Sequence, residues 1–460
     1  MAEPEHPTTV VEIHAAGLLK AKSLWVFPLS VASVLVMLMT LLYFGSIVDP
    51  SEHLHGLPVA VVDEDTGGAT TSGRVDLGGQ VTQALTHTKA LTDRLAVTVA
   101  TLSQAEAQMN KGDGYVTVVI PADFTASLLA LTRGPSAPAT PEPPTIELLA
   151  NSRAGTLGVS LGESVLEPAL SVASRAIGAR LAPETAPDSL ARVLIANPVT
   201  VSIVQYRPLP SHAGLGLSAF YISLLIMMCG FLGATIINTS LDSALGYASS
   251  EVGPRWSQRL PRRISRWQTL LAKWAVAVPG TLLLTGVMLG VSAGILRMDA
   301  PDWLELWMFG WFAAAVVAIG TLVLYAALGA PGQLLALLVF VYLALASSGG
   351  TIPLQALAGF FRFVANFEPL RQIVGAVRSI LYFNGLGVAG LGRGLLLTAI
   401  GLVFWLVVGA VMTNWYDRKG LHRIHPDVLE YVYDSVRTYH ERKLRAAGPA
   451  GSDRVDLTAG

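Results

Sequence analysis

The sequence predicts an α-helical integral membrane protein with six transmembrane helices and an α/β domain inserted between the first two. Three observations predict it. Apolar runs recur at 24–48, 214–238, 269–296, 303–328, 333–346 and 395–413. Only 14% of the 460 residues are charged and 52% are hydrophobic, where an ordinary soluble domain carries about 25% charged residues. Between the first and second runs lies a polar stretch, 49–213, with β-branched segments and turn residues of its own.

Residues 1–23 are polar, with Lys20 and Lys22 just ahead of the 24–48 run. That run is too long for a signal-peptide core. It ends in Ile47-Val48-Asp49-Pro50 without a small-residue cleavage site, so it reads as an uncleaved first helix. The lysines favour a cytoplasmic N-terminus.

The insertion at 49–213 has the size of one domain. Residues 57–62 are a β-branched run that ends in the turn sequence Asp63-Glu64-Asp65-Thr66-Gly67-Gly68. Helical spacing follows at 75–87, a strand at 94–101, and a short helix at 103–110 with Ser103 as its cap. Residues 115–120 read as a strand, and Pro121 onward as a helix through Leu131. The stretch 134–144, Gly-Pro-Ser-Ala-Pro-Ala-Thr-Pro-Glu-Pro-Pro, reads as an extended solvated loop. A strand at 145–150, a long helix at 156–181 and an extended lead at 198–206 complete an α/β domain.

Residues 214–414 form the membrane domain. Three of its five runs exceed the 18–20 apolar residues that cross a hydrocarbon core about 30 Å thick. The short run at 333–346 follows Ala330-Pro331-Gly332 and continues into small residues, so a crossing is expected there too. Helices satisfy their own backbone hydrogen bonds in lipid, which fixes the reading as α. The loop 241–268 carries Arg255, Arg259, Arg262, Arg263 and Arg266 against Asp242 and Glu251. The tail 415–460 carries Arg418, Lys419, Arg423, Arg437, Arg442, Lys443 and Arg445. Short basic loops stay cytoplasmic, so six crossings place both termini and the basic loop inside, and the α/β domain and the 347–393 segment outside. Arg362, Arg371, Arg378 and Arg393 in that outer segment count against this assignment.

Composition and motifs exclude several functions. Charge is balanced at 31 basic and 32 acidic residues, which gives no field for nucleic acid. The single cysteine, Cys229, lies inside an apolar run and reads as packing. No G-x-x-x-x-G-K-[ST], H-E-x-x-H or cysteine pair occurs, and no nucleophile, metal set or acid–base pair suggests an enzyme or a bound cofactor. Asp63-Glu64-Asp65 reads as a solvated turn, because adjacent carboxylates point in different directions. Lys273 and Glu305, near run ends, read as side chains snorkelling to the interface.

Two segments stand out. Leu260, Ile264 and Trp267 recur at helical spacing among the arginines of the basic loop, with Trp256 four residues before Leu260. This predicts an amphipathic element, broken or bent at Pro261, that anchors on anionic lipid or docks a cytoplasmic partner. Its candidate residues are Arg255, Trp256, Arg259, Arg262, Arg263, Arg266 and Trp267. In 347–393, Ser347-Ser348-Gly349-Gly350-Thr351-Ile352-Pro353 breaks the fifth helix, and Phe360-Phe361, Glu368-Pro369-Leu370-Arg371 and a helical 372–382 follow. Small residues permit sharp turns and close approach. This predicts re-entrant or interfacial helices forming an outer gate, with Ser348, Gly349, Gly350, Pro353, Phe360, Phe361 and Arg371 as its candidate residues.

Three stretches resemble the YhgE/Pip (phage infection protein) family and related nitrosoguanidine-resistance-type membrane proteins. They are Pro58-Val59-Ala60-Val61-Val62-Asp63-Glu64-Asp65-Thr66-Gly67, then Ile120-Pro121-Ala122-Asp123-Phe124, then Ser348 to Pro353 with Phe360-Phe361, Pro369-Leu370-Arg371 and Arg378. The order of one helix, a large outer domain and five further helices is similar as well. The resemblance implies an ABC-2-type permease fold in a bacterial plasma membrane, working as a homodimer with a separate cytoplasmic ATPase subunit that would meet residues 255–267. Some members of the family are linked to phage entry or drug tolerance. The outer domain here is short and lacks the long coiled coil of many phage infection proteins. The expected function is export of a hydrophobic or amphipathic compound; the alternative is a membrane-anchored binding, scaffold or phage-receptor-like protein. Membrane lipids are expected partners in either case.

Overall fold

The computed structural model describes residues 22–70, 73–132, 142–184, 189–421 and 423–447. Most of 134–144, expected as an extended loop, lies outside them, as does nearly all of the N-terminal 1–23.

The chain is largely helical, and among the described residues six helices are long and apolar enough to cross a membrane: Trp25–Ile47, Ser218–Ala244, Arg266–Gly294, Trp303–Leu328, Ala330–Ser347 and Leu391–Arg418. It is a helical membrane protein. Between the first helix, α1 (Lys22–Ile47), and the second lies a lobe built on a five-stranded sheet, with strand order β4-β1-β5-β6-β7. Its strands are β1 (Leu57–Asp63), β4 (Leu95–Val99), β5 (Val116–Ile120), β6 (Thr145–Ala150) and β7 (Thr200–Gln205), while β2 (Gly68–Thr70) and β3 (Gly73–Val75) form a separate hairpin. Neighbours pair in parallel except β5 with β6. Parallel neighbours need a crossover connection, and helices supply it between β1 and β4 and between β6 and β7.

Helices α2 (Leu77–His87), α4 (Leu102–Asn110), α5 (Phe124–Thr132) and α6 (Thr156–Leu181) cover the sheet and its hairpin. The short α3 (Lys89–Thr92) sits beside β4, and α7 (Ser189–Ala196) packs on α5 and α6. Asp76 caps α2 by accepting from Gly79 N. Helix α4 is capped by Thr101, not by Ser103, because Gln104 closes a capping box with the threonine. α6 lies close to the sheet at glycines: a Cβ at Gly158 would meet the Tyr115 ring at 2.3 Å, and one at Gly162 would meet Val116 at 2.9 Å.

The remaining membrane helices are α8 (Ser218–Ala244), α9 (Arg266–Gly294), α10 (Trp303–Leu328), α11 (Ala330–Ser347) and α14 (Leu391–Arg418). The short helices between the last two are α12 (Gly359–Val364) and α13 (Pro369–Tyr382), and the tail helix is α15 (Pro426–Ala447). α10 is the hub: residues 313–323 are buried, and it packs against α8, α9, α11 and α14. Gly329, at φ +65°, turns α10 into α11, and Gly332 lies so close to the Leu324 carbonyl that a Cβ would come within 2.2 Å. α11 widens into a π turn at Leu338–Leu343. α1 packs on α11 and is exposed over nearly all its surface, as is α14 on its outward face.

The end of α11 and the 347–393 segment also carry the lobe. Ala346, Ile352, Ala356, Leu357 and Phe361 share one hydrophobic core with the sheet. Arg153 donates to the carbonyls of Pro208 and Tyr382, and His55 N donates to Gln355 O. α8 begins beside the lobe and runs 27 residues, about 40 Å of helix, so the basic loop lies at the far end of the bundle.

Candidate functional site

At that far end, three charged side chains from three different segments converge. Asp242 stands on the last turn of α8, Lys273 on the second turn of α9, and Arg423 in the tail just beyond α14. Arg423 forms a two-pronged pair with Asp242, Nη1 to Oδ1 at 2.6 Å and Nη2 to Oδ2 at 2.9 Å. Lys273 Nζ sits 2.8 Å from Asp242 Oδ1 and donates to Asn238 Oδ1 at 2.6 Å. The lysine and aspartate side chains are 7% and 11% exposed. The expectation that Lys273 snorkels to the interface is therefore corrected: a carboxylate one helix away holds it inside the bundle. Ion pairing outcompetes snorkelling because an unpaired ammonium there would lose its hydration without compensation.

These groups line a cleft of about 730 Å³ together with Arg266, Leu270, Tyr325, Ala330, Gln333 and Tyr416. Asp417, on α14, spends its carboxylate on the start of α9: Oδ1 accepts from Arg266 N at 3.0 Å and Oδ2 from Trp267 N at 3.1 Å. Arg266 Nε donates to Leu421 O at 2.7 Å, and the guanidinium lies 5.0 Å from the Tyr416 ring centre. The end of α14, the start of α9 and the tail are thereby locked into one charged junction.

The predicted amphipathic helix in the basic loop is not formed. Ser250–Val252 and Arg255–Ser257 make a hairpin through Gly253, residues 258–265 carry no regular secondary structure, and α9 starts at Arg266 behind its cap Ser265. Pro254 and Pro261 explain the failure, since proline removes a helical hydrogen bond and pushes the preceding residue out of the α region. Gly246, at φ +78°, sits against the Leu260 backbone, and Tyr247 OH donates to Arg262 O. Arg255, Trp256, Arg259, Arg262 and Arg263 are exposed, whereas Arg266 is half-buried and Trp267 stacks edge-on against Trp274 with centroids 5.8 Å apart. The tail covers part of this surface: Tyr433 OH donates to Pro261 O, and Leu429 is buried beside Arg262 and Arg263.

The predicted gate residues at the lobe end split in the same way. Ser348 is buried and accepts from Gly350 N, and Gly349 takes φ +65°. Gly350 lies against Phe220 of α8, where a Cβ would come within 2.2 Å of the ring, and its carbonyl accepts from Arg378 Nη2 at 3.2 Å. Pro353 is buried at the start of a short turn. Phe361 is buried, while Phe360, Phe363 and Phe367 are exposed. Arg371 donates to Ala365 O and Asn366 Oδ1. Just before it, Glu368 caps α13 by accepting from Arg371 N, and its Oε1 is buried without a partner. Burial pushes this carboxyl up to about 7, although the hydrogen bonds from the Leu370 and Arg371 backbone pull it down. Burial also lowers the Arg378 guanidinium.

One motif that the reading of the sequence misses carries no chemistry. Gly290-Val291-Ser292-Ala293-Gly294 has G-x-S-x-G spacing, but it lies within α9, and Ser292 Oγ donates to Met288 O at 2.9 Å. It lacks the strand-to-helix elbow that exposes a nucleophile. The acidic turn is a capping device rather than a solvated loop: Asp65 accepts from the backbone N–H of Gly67, Gly78 and Thr125. Among the described residues no cluster of histidine, cysteine or carboxylate side chains has the makings of a metal site.

A family model described as "Protein of unknown function (DUF3533)" matches residues 29–410. No curated protein and no solved structure matches the chain.

Proposed function

We propose that this chain, which belongs to the family described as a protein of unknown function (DUF3533), acts as an ABC-2-type permease subunit of the plasma membrane. Its cargo is a hydrophobic or amphipathic compound, moved outward. In this reading both termini, the basic loop and the charged junction face the cytoplasm, and the sheet lobe with the 347–393 segment faces outward. The distribution of Arg and Lys supports that orientation. So does the resemblance to YhgE/Pip proteins, which also suggests a homodimer and a separate ATPase.

The observation that carries the proposal is the cleft at the charged junction. It opens between apolar spans, holds buried charge, and is bordered by residues from α8, α9, α10, α11, α14 and the tail. Ionisable groups inside a helical bundle mark substrate or ion paths by default. A cleft walled by so many separate segments changes shape when they shift, as alternating access requires. A second reading, a membrane-anchored binding protein, draws support from a groove of about 780 Å³ on the lobe, between Leu85, Leu91, Val165 and Val172.

Purification from native membranes separates the two. We expect an ATPase to co-purify, and its hydrolysis to rise in proteoliposomes when a fluorescent amphipath is supplied. Absence of any associated ATPase, together with unaltered partition of the amphipath, would leave the binding reading in possession.

A further inference from the structure

We infer that the cleft at the charged junction binds the anionic phosphate headgroup of an amphipath, with Lys273, Arg266 and Arg423 as its recognition residues. This names the substrate class of the site and rests on the transport reading only for the steps after binding.

Charge points to an anion. Asp242 has two carboxylate oxygens, and both are already occupied: Oδ2 by Arg423, Oδ1 by Arg423 and Lys273 together. One acid thus answers two cations, and the acid and the lysine are both largely shielded from solvent. Arg266 adds a third. Among the described residues no carboxylate lies within ion-pair distance of its guanidinium; Asp417 holds the backbone at the start of α9 and reaches the Arg266 charge only at longer range. The cleft lining therefore carries three cationic side chains against Asp242, and with the Asp417 carboxylate just behind it the junction keeps an excess of one positive charge.

The same wall contributes Gly329 and Ala330, the start of α11, which no side chain caps; Pro331 has no N–H and Gly332 N donates to Gly329 O, so this end contributes its dipole rather than a row of free donors. Helix N-termini carry partial positive charge, which adds to the excess. Uncompensated charge is costly away from water, so the site gains most from an anion that accepts several hydrogen bonds at once. Phosphate oxygens meet that need, since guanidinium and ammonium donors form short, charge-assisted bonds with them.

Size and lining select an amphipath over a free ion. About 730 Å³ is far more than phosphate fills and lies within the range of pockets that hold whole organic ligands. Leu270, Ala326, Leu328 and Leu421 supply apolar wall beside the cations. A phosphate lipid places its head on Lys273 and Arg266 and its glycerol and first methylenes on these residues.

The test is equilibrium binding by calorimetry on the full-length protein in a neutral detergent. The probes are dihexanoyl phosphatidic acid, dihexanoyl phosphatidylcholine and inorganic phosphate. We expect phosphatidic acid to bind at least about tenfold more tightly than either of the others, and more weakly as salt rises. Arg266→Gln, which leaves the Asp242 pairs in place, should lose about tenfold in affinity, and Lys273→Arg should keep most of it. Equal affinity for the two lipids would overturn the headgroup assignment. Inorganic phosphate binding as tightly as phosphatidic acid would overturn the amphipath. Unchanged affinity in Arg266→Gln, in protein with wild-type thermal unfolding, would overturn the residues. None of these readouts involves flux, so loss of transport with binding intact would count against the permease reading alone.

Discussion

Replacing Asp242 by asparagine should be among the most damaging single changes at the charged junction, and the structure gives both its size and its rank. The aspartate neutralises two cations, and its side chain is 11% exposed, beside a lysine 7% exposed and an arginine 30% exposed. Removing one member of a buried pair typically costs about 3–5 kcal/mol, because the remaining charge is stranded. Asp242→Asn strands two, although Arg423 is exposed enough to recover some hydration, so we expect about 3 kcal/mol. Lys273→Gln is different. It leaves the two-pronged Arg423 pair intact and reduces an existing positive excess, so its cost should stay near about 1 kcal/mol. The double variant Asp242→Leu with Lys273→Met should fall between the two, since a buried pair exchanged for apolar side chains is often close to neutral. Thermal and denaturant unfolding in one detergent would measure all three. A Lys273→Gln cost larger than that of Asp242→Asn would refute the charge reasoning outright.

Three further outcomes are expected. In a Cys229→Ser background, a cysteine at Gln83 on the lobe should react with an impermeant thiol reagent applied outside cells, and one at Ser257 should not; labelling of both from one side would end the proposed topology. Reversing exposed Arg259, Arg262 and Arg263 to glutamate should abolish ATPase co-purification while changing stability by under about 0.5 kcal/mol, as surface substitutions usually do; retained co-purification would remove the loop from the coupling role. Glu368→Gln should flatten a pH dependence. The folded carboxyl sits at about 7, above its ordinary 4.5, so its contribution is intact below about 4.5 and is lost as pH rises through about 7. Full ionisation costs about 3 kcal/mol, and the glutamine variant should be the more stable protein at about pH 8 and indistinguishable from wild type at about pH 4.5. A wild-type unfolding midpoint that does not fall between those two pH values would show that Glu368 ionises without penalty.

Length and periodicity carry the membrane helices, because a span announces itself in some twenty consecutive residues. The 156–181 helix and the strands around 57–62, 115–120 and 145–150 are equally local. The rest is decided at a distance. Arg423 and Asp242 are 181 positions apart, and nothing near either one signals the other; in the sequence each looks like one more charge in a loop or a tail. Lys273 reads wrongly for the same reason. The basic loop fails differently. Its apolar spacing fits a helix, but Pro254 and Pro261 govern backbone conformation more strongly than spacing does, and the chain takes a hairpin and an irregular lead instead. The strand order is likewise beyond reach, since the antiparallel step from β5 to β6, with β7 then parallel to β6, depends on which edges meet.

The arrangement of α8 connects the two ends. Its first turns set Phe220 against Gly350, whose carbonyl receives Arg378, and its last turn supplies Asp242 to the charged junction. Gly350 leaves no slack, because even a methyl group there would overlap the ring. Arg378 in turn lies on α13, whose neighbour Glu368 is the buried carboxyl that ionises near neutrality. A tilt of α8 that widens the cleft must therefore move Phe220 against a backbone that cannot yield, or carry the 347–353 turn and α13 with it. Close-packed contacts of this kind transmit displacement rather than absorb it. An occupant of the cleft that pulls Lys273 away from Asp242 would be felt at the foot of the sheet lobe, along a single helix and one glycine.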